Sequence, residues 1–207
     1  MERVGIFGGT FDPPHRAHLA VALQACDTLG LDRLLWIPAG SPPHKQGVAL
    51  TEVHHRVEMT RLMTDEDSRF RLELGEALAD GPSYTVATLE RLHAARPDWQ
   101  LFLVVGEDQL VAFPTWRSPE RIRELVQLVV YRREGEMDGR SGQLSQQGGN
   151  QTEYVASVAP DVWLPGAPVP MASTAIRQHI ETGEALTDEL LPSVAEYIQE
   201  HRLYLPG

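Results

Sequence analysis

Six short apolar runs punctuate the sequence: Val4 to Phe7, Leu34 to Ile37, Phe70 to Leu74, Leu101 to Val105, Leu128 to Tyr131 and Val162 to Leu164. Between them lie stretches of helical periodicity near 16–29, 52–64, 84–95, 119–126 and 174–182, and a last one near 189–201 closes the chain. Alternation of this kind leaves few architectures open. It indicates an α/β fold, a parallel sheet whose crossover helices cover its faces. No internal repeat or clear linker divides the chain, so residues 1–207 are read as one domain, with a small helical part from about 173 to 207. A chain of 207 residues buries a sizeable core without disulfide staples.

The charge balance narrows the partners. A formal net charge of -11 and a pI near 5.1 oppose a general nucleic-acid binder, whose affinity comes largely from Lys and Arg neutralising phosphates. Any anionic ligand must therefore meet a local positive site, which draws attention to His, Lys and Arg within glycine- and proline-rich turns. Met1-Glu2-Arg3 runs into a short apolar stretch that is neither a signal peptide nor long enough to span a bilayer. A soluble, cytoplasmic protein with no membrane partner is expected. The single cysteine, Cys26, shares helical spacing with Leu19, Ala22, Leu23 and Leu29, as a buried structural thiol would. Arg133 to Thr152 is rich in Gly, Gln and Ser and poor in apolar residues, and reads as a mobile loop.

The first chemical motif follows the first strand. Gly8-Gly9 then Thr10 and Phe11 form a tight turn into a helix, and ligands of open parallel sheets bind outside the carboxyl ends of the strands. Glycines let the backbone approach a phosphate, and the helix start offers free N–H groups. His15 and His18, three apart, share a face of that helix start. Positive residues there oppose the helix dipole, so another benefit such as holding an anion is indicated. Two surface histidines, or half of a zinc site, are the alternatives, although neither a cysteine cluster nor an HExxH pattern supplies further zinc ligands. Near the other end, Ser173-Thr174-Ala175-Ile176-Arg177 opens a helix, with Ser173 as its N-cap and Arg177 one turn in. Alone this is commonplace; with the first motif it forms an opposite wall for a triphosphate.

Taken together, GGTFDPPHRAHL (Gly8 to Leu19), IPAGSPPHK (Ile37 to Lys45) and STAIR (Ser173 to Arg177) resemble the bacterial nicotinate-mononucleotide adenylyltransferases. The likeness extends to Gly106-Glu107-Asp108, Phe113 to Trp116 and the ending Val194 to Tyr204, and so covers nearly the whole chain. It implies a Rossmann-like, doubly wound sheet with helices on both faces. It also implies transfer of AMP from ATP to nicotinate mononucleotide, with magnesium as the metal and no protein ligand assigned to it. His18, His15, Arg177 and Lys45 are carried over as catalytic. Gly8, Gly9, Thr10, Phe11, Gly106, Asp108, Ser173 and Thr174 join them around ATP, with Asp108 at the ribose. Lys45, Ser83, Tyr84, Thr85 and Trp116 are carried over to the acceptor, Trp116 as a stacking face and the Ser83–Thr85 helix start as a carboxylate site; packing and capping are the bland alternatives for these.

Two departures stand out. The family's HxGH appears as His15-Arg16-Ala17-His18, which puts a methyl where the pattern has glycine, and Ala172 stands where a further Ser is common. Nicotinamide mononucleotide and phosphopantetheine are the nearest rival acceptors, and a noncatalytic ATP sensor is the rival from another class. A tRNA-handling relative of the class I synthetases is opposed by the acidic charge and by the lack of a KMSKS-like lysine pair. The sequence is compatible with a homo-oligomer.

Overall fold

Parallel strands covered on both faces must be apolar on both sides, and their side chains then divide between two cores with period two. The computed structural model, which describes residues 1–41, 50–133, 158–167, 171–184 and 188–206, follows this rule. Val4, Ile6, Leu35, Ile37, Leu101, Leu103, Val105, Leu128 and Val130 enter one core. Their neighbours Phe7, Leu34, Trp36, Phe102, Val104 and Val129 enter the other. The runs Val4 to Phe7, Leu34 to Ile37, Leu101 to Val105 and Leu128 to Tyr131 are thus strands whose alternate residues serve opposite faces.

The strands are β1 (Glu2–Gly9), β2 (Arg33–Pro38), β3 (Phe70–Leu72), β4 (Trp99–Gly106), β5 (Val126–Arg133) and β6 (Val162–Ala167). They form one sheet in the order β3-β2-β1-β4-β5-β6, and every adjacent pair is parallel. The helices are α1 (Arg16–Leu29), α2 (Val53–Thr64), α3 (Thr85–Ala95), α4 (Glu107–Ala112), α5 (Pro119–Leu125), α6 (Ser173–Thr182) and α7 (Pro192–Glu200). Val21, Met59, Met63, Ile176, Val194 and Ile198 bring α1, α2, α6 and α7 onto the first core. Leu89, Leu92, Leu110 and Ile122 bring α3, α4 and α5 onto the second. Cys26 is fully buried in the first core, and burial pushes its thiol up to about 12, as befits a packing residue.

The strand order reverses direction between β1 and β4. A crevice opens at such a switch point, outside the carboxyl ends of the two strands, which here are Gly9 and Gly106. Two sequence readings need correction. The sequence shows no helical stretch between 95 and 119, yet Gly106 caps α4, donating its N–H to the Gln109 side chain at 3.2 Å, and a 3-10 turn over Phe113–Thr115 follows. Six residues are too few for helical periodicity to show. The third strand stops at Leu72 rather than Leu74. The segment read as a mobile loop, apart from Arg133 at the end of β5, lies outside the described residues, as does Lys45.

Where α2 meets α7, His55 Nδ1 and the Tyr197 hydroxyl are 2.9 Å apart. The His54 and His201 rings lie 4.0 and 5.1 Å from that of His55. Burial foremost, then His54 and His201, hold His55 below its ordinary value of 6.5 against the opposing charge of Glu52. The unfolded chain therefore takes up a proton that the folded chain resists. Stability from this group is complete above the unfolded value and is lost as pH falls through the lower folded one. The melting temperature is expected to fall as pH is lowered below 6.5, and His55→Gln to make that decline shallower. Equal slopes in thermal melts of the two proteins would exclude His55 as the cause.

Candidate active site

The turn that leaves β1 carries the first motif and is held from several directions. Gly9 is required by close approach, since a Cβ there would meet the Phe11 ring at 2.8 Å. Phe11 adopts the left-handed conformation (φ 51) and buries its ring against Phe7, Trp36 and His18. It therefore backs the site with its side chain and offers only its backbone to a ligand. Gly8 is exposed, and among the described residues a Cβ there would find nothing nearer than the Ile37 carbonyl at 4.0 Å.

His15 is the N-cap of α1, and its carbonyl accepts the N–H groups of His18 and Leu19. The rings of His15 and His18 lie with centroids 3.7 Å apart, the shared face expected from their spacing. His18 Nδ1 accepts the His15 N–H at 3.2 Å, so the neutral ring carries its proton on Nε2, as a donor. Ala17 is half-buried and packs its methyl against the first core, which favours tolerance of the departure from HxGH.

The second motif meets the first directly. Arg177 Nη1 donates to the Asp12 carbonyl at 2.7 Å, and the Ser173 hydroxyl to the Pro13 carbonyl at 2.9 Å. Arg177 Nη2 reaches the Thr174 hydroxyl at 3.4 Å. Ser173 is not the N-cap. Ala172 holds that position, and the Ser173 hydroxyl is directed instead to Pro13 on the other wall. The guanidinium and both hydroxyls of this helix start gather beside the turn, as the sequence suggested.

Two further residues hold the turn and were missed. Arg56 is only 2 % exposed and donates to the carbonyls of Thr51, Thr10, Ala39 and Gly40, at 2.6–3.0 Å. It ties the turn after β1 to the turn after β2. Burial lowers its pKa, and the charge of Asp12 opposes that shift; an arginine nonetheless stays charged at neutral pH. Tyr204 donates its hydroxyl to Asp12 Oδ1 at 2.8 Å, and the Thr51 N–H reaches Asp12 Oδ2 at 3.3 Å. Asp12 is thus an anchor within the turn rather than a helix cap. Arg56 shares the buried face of α2 with Met59, Thr60 and Met63, and a charge at that spacing is the one signal the sequence held.

On the β4 side, a Cβ at Gly106 would meet Asp108 Oδ1 at 2.5 Å and the Tyr131 hydroxyl at 3.2 Å. Glycine thereby lets exposed Asp108 fold over the strand end. Half-buried Trp116 leans on Phe113 with centroids 5.3 Å apart, and Tyr84 packs against the same second core. The Arg117 guanidinium lies 4.8 Å from the Tyr84 ring centre and joins the two stretches. Tyr84, not Ser83, is the N-cap of α3, with Thr85 its first residue. Among the described residues the buried Ser83 hydroxyl has no hydrogen-bond partner, while the Ser83 N–H donates to the Ser41 carbonyl. Of the residues that the family likeness puts at the acceptor, Tyr84 and Trp116 thus pack against one core, and Ser83 and Thr85 flank Tyr84 at the start of α3. Among the described residues, no group of three or more His, Cys, Asp or Glu could hold a metal ion.

The cytidylyltransferase-like family model matches residues 6–180. A Bacillus subtilis protein named nicotinate-nucleotide adenylyltransferase is 34 % identical over 205 residues, covering 99 % of each chain. The structure is similar to that of Plasmodium falciparum nicotinic acid mononucleotide adenylyltransferase complexed with NaAD, with a TM-score of 0.76 and 18 % identity over 99 % of this chain and 98 % of that one. The same parasite protein complexed with APC gives a TM-score of 0.74 at 17 % identity and the same coverage.

The two glycines separate fold from ligand. Gly8→Ala is expected to melt with the parent protein yet to bind ATP about tenfold or more weakly in calorimetry. Gly9→Ala is expected to lose about 1–3 kcal/mol of stability through the clash with Phe11, read from denaturant midpoints. Unchanged ATP affinity in Gly8→Ala would remove this turn from the phosphate site.

Proposed function

The chain belongs to the cytidylyltransferase-like family and, within it, to the nicotinate-nucleotide adenylyltransferases, and from that membership we propose how its residues work. It is a nucleotidyltransferase of NAD biosynthesis that transfers AMP from ATP to nicotinate mononucleotide, giving deamido-NAD and pyrophosphate. The observation that carries the site assignment is the direct union of the two motifs, in which Ser173 and Arg177 hydrogen bond to the Pro13 and Asp12 carbonyls.

An oxygen of the acceptor's phosphate attacks the α-phosphorus of ATP, the bond to the β-phosphate breaks, and pyrophosphate leaves. The attacking phosphate is ionised near neutral pH, so the site needs alignment and charge neutralisation rather than a base. His18 donates from Nε2 to the phosphates as the principal catalytic group, and His15 supports it on the same helix start. Arg177, Ser173 and Thr174 face the β and γ phosphates. Backbone of Gly8, Gly9, Thr10 and Phe11 lines the approach, and Gly106 and Asp108 receive the ribose. Lys45 is retained at the acceptor's phosphate on the family likeness alone. Trp116 stacks the pyridine ring, and the Ser83-Tyr84-Thr85 start of α3 takes its carboxylate.

Magnesium suits this donor set when it enters with ATP. Both Asp12 carboxylate oxygens are engaged, by Thr51 and Tyr204, so phosphate oxygens and water are the ligands left to the ion. The ion would offset the phosphate charge. Among the described residues no helix is long and apolar enough to cross a membrane. We retain the reading of a single-domain cytoplasmic enzyme, and the acidic balance supports action on ATP and nicotinate mononucleotide rather than on nucleic acid.

The test is pyrophosphate release with magnesium-ATP and nicotinate mononucleotide, nicotinamide mononucleotide or phosphopantetheine, compared as kcat/KM. The acid is expected to lead; preference for the amide would overturn the acceptor, and no release with any would leave an ATP sensor. His18→Ala is expected to lower kcat by about a hundredfold or more with the fold intact. Near-normal turnover would remove His18 from its role.

A further inference from the structure

Beyond α7 the chain returns to the turn after β1 by a costly route. Arg202 and Tyr204 both adopt the left-handed conformation, at φ 51 and 64, which residues with a Cβ seldom keep without a compensating contact. At the other end of that contact, Phe11 is also left-handed, and Asp12 follows it directly. A hydrogen bond spans the gap, from the Tyr204 hydroxyl to Asp12 Oδ1 at 2.8 Å, and the Thr51 side chain is a second partner of that hydroxyl. Asp12 is 3 % exposed, and its carbonyl accepts Arg177 Nη1 at 2.7 Å. A single buried residue thus takes the C-terminal tyrosine on its side chain and the phosphate-facing arginine on its backbone. Burial, with the Asp12 charge, raises the Tyr204 pKa, so the phenol stays a donor.

We infer that Tyr204 is a positioning residue for adenylyl transfer, setting through Asp12 the place of the Gly8–His18 turn and of the Arg177 guanidinium. This rests on the reading of those residues as the ATP phosphate site. In-line displacement is sensitive to small misplacements of the groups that align it, and Tyr204 fixes two of them at once. A residue that merely secured the chain end would affect stability alone. Tyr197 supplies the matched control: its hydroxyl also joins the C-terminal part to the body, but through His55 on α2 rather than through the turn.

The experiment compares Tyr204→Phe, Tyr197→Phe, Asp12→Ala and the Tyr204→Phe/Asp12→Ala double variant in the full chain, by thermal melts and by kcat and KM for both substrates. Tyr204→Phe is expected to lose about tenfold to a hundredfold in kcat with the acceptor's KM unchanged. Tyr197→Phe is expected to keep kcat, and the double variant to be no slower than Asp12→Ala alone. Parent-like kcat in Tyr204→Phe, or equal kcat losses in the two tyrosine variants, overturns the inference. Should Tyr204→Phe not fold, Asp12→Ala removes the same bond from its acceptor side; failure of both to fold assigns the bond to stability and also overturns it. If the parent protein releases no pyrophosphate with any acceptor, the adenylyltransferase reading fails by itself. ATP affinity then decides for Tyr204: a loss in Tyr204→Phe upholds its hold on the phosphate site, and no loss ends it.

Discussion

A buried guanidinium bonded to peptide carbonyls is the constraint on which the site depends. Arg56 draws the carbonyls of Thr10, Ala39, Gly40 and Thr51 to one point beneath the crevice. Each hydrogen bond from a charged donor contributes about 1.5–3 kcal/mol, whereas a charge left buried without partners costs several. The turns after β1 and β2 are therefore bound to a common centre, and displacing one would leave part of the guanidinium unsatisfied. Arg177, Ser173 and Tyr204 add contacts to Asp12 and Pro13 further along the turn. Irregular backbone, left-handed at Phe11, is in this way held by parts of the chain from either end.

This arrangement explains how a protein of net charge -11 can bind a triphosphate. Affinity does not come from the surface as a whole. In the proposed site it would come from a helix start, two imidazoles and Arg177, at the switch point of a sheet whose strands are fixed by two cores. Preorganised donors of this kind need little rearrangement when charge shifts from the α-phosphate to the leaving group. The same economy applies across the crevice, where the α3 start and Trp116 stand on the second core.

The sheet was legible because strands buried on both faces read as unbroken apolar runs, and Val4 to Phe7 or Leu101 to Val105 have no other plausible fate in a chain that alternates with helices. Short α4 was not legible, since six residues show no period. Within the site, glycines and paired histidines announced themselves by residue type. Caps did not: Ser173 and Ser83 each sit one residue from where capping preference would place them, because tertiary contacts, the Pro13 carbonyl for Ser173 and the Ser41 carbonyl for the Ser83 backbone, set the register. Arg56 and Tyr204 escaped because their partners are remote in sequence, 192 residues away for Tyr204 and Asp12. Nothing local records such a contact.

If the turn is set by its buried partners, it must already hold its shape before ATP arrives. Crystal structures without ligand and with magnesium-ATP test this directly. The Cα positions of residues 10–13 are expected to agree within about 1 Å between the two, with the Arg56 and Tyr204 contacts present in both. A shift of more than about 2 Å, or formation of those contacts only on ATP binding, would contradict the account.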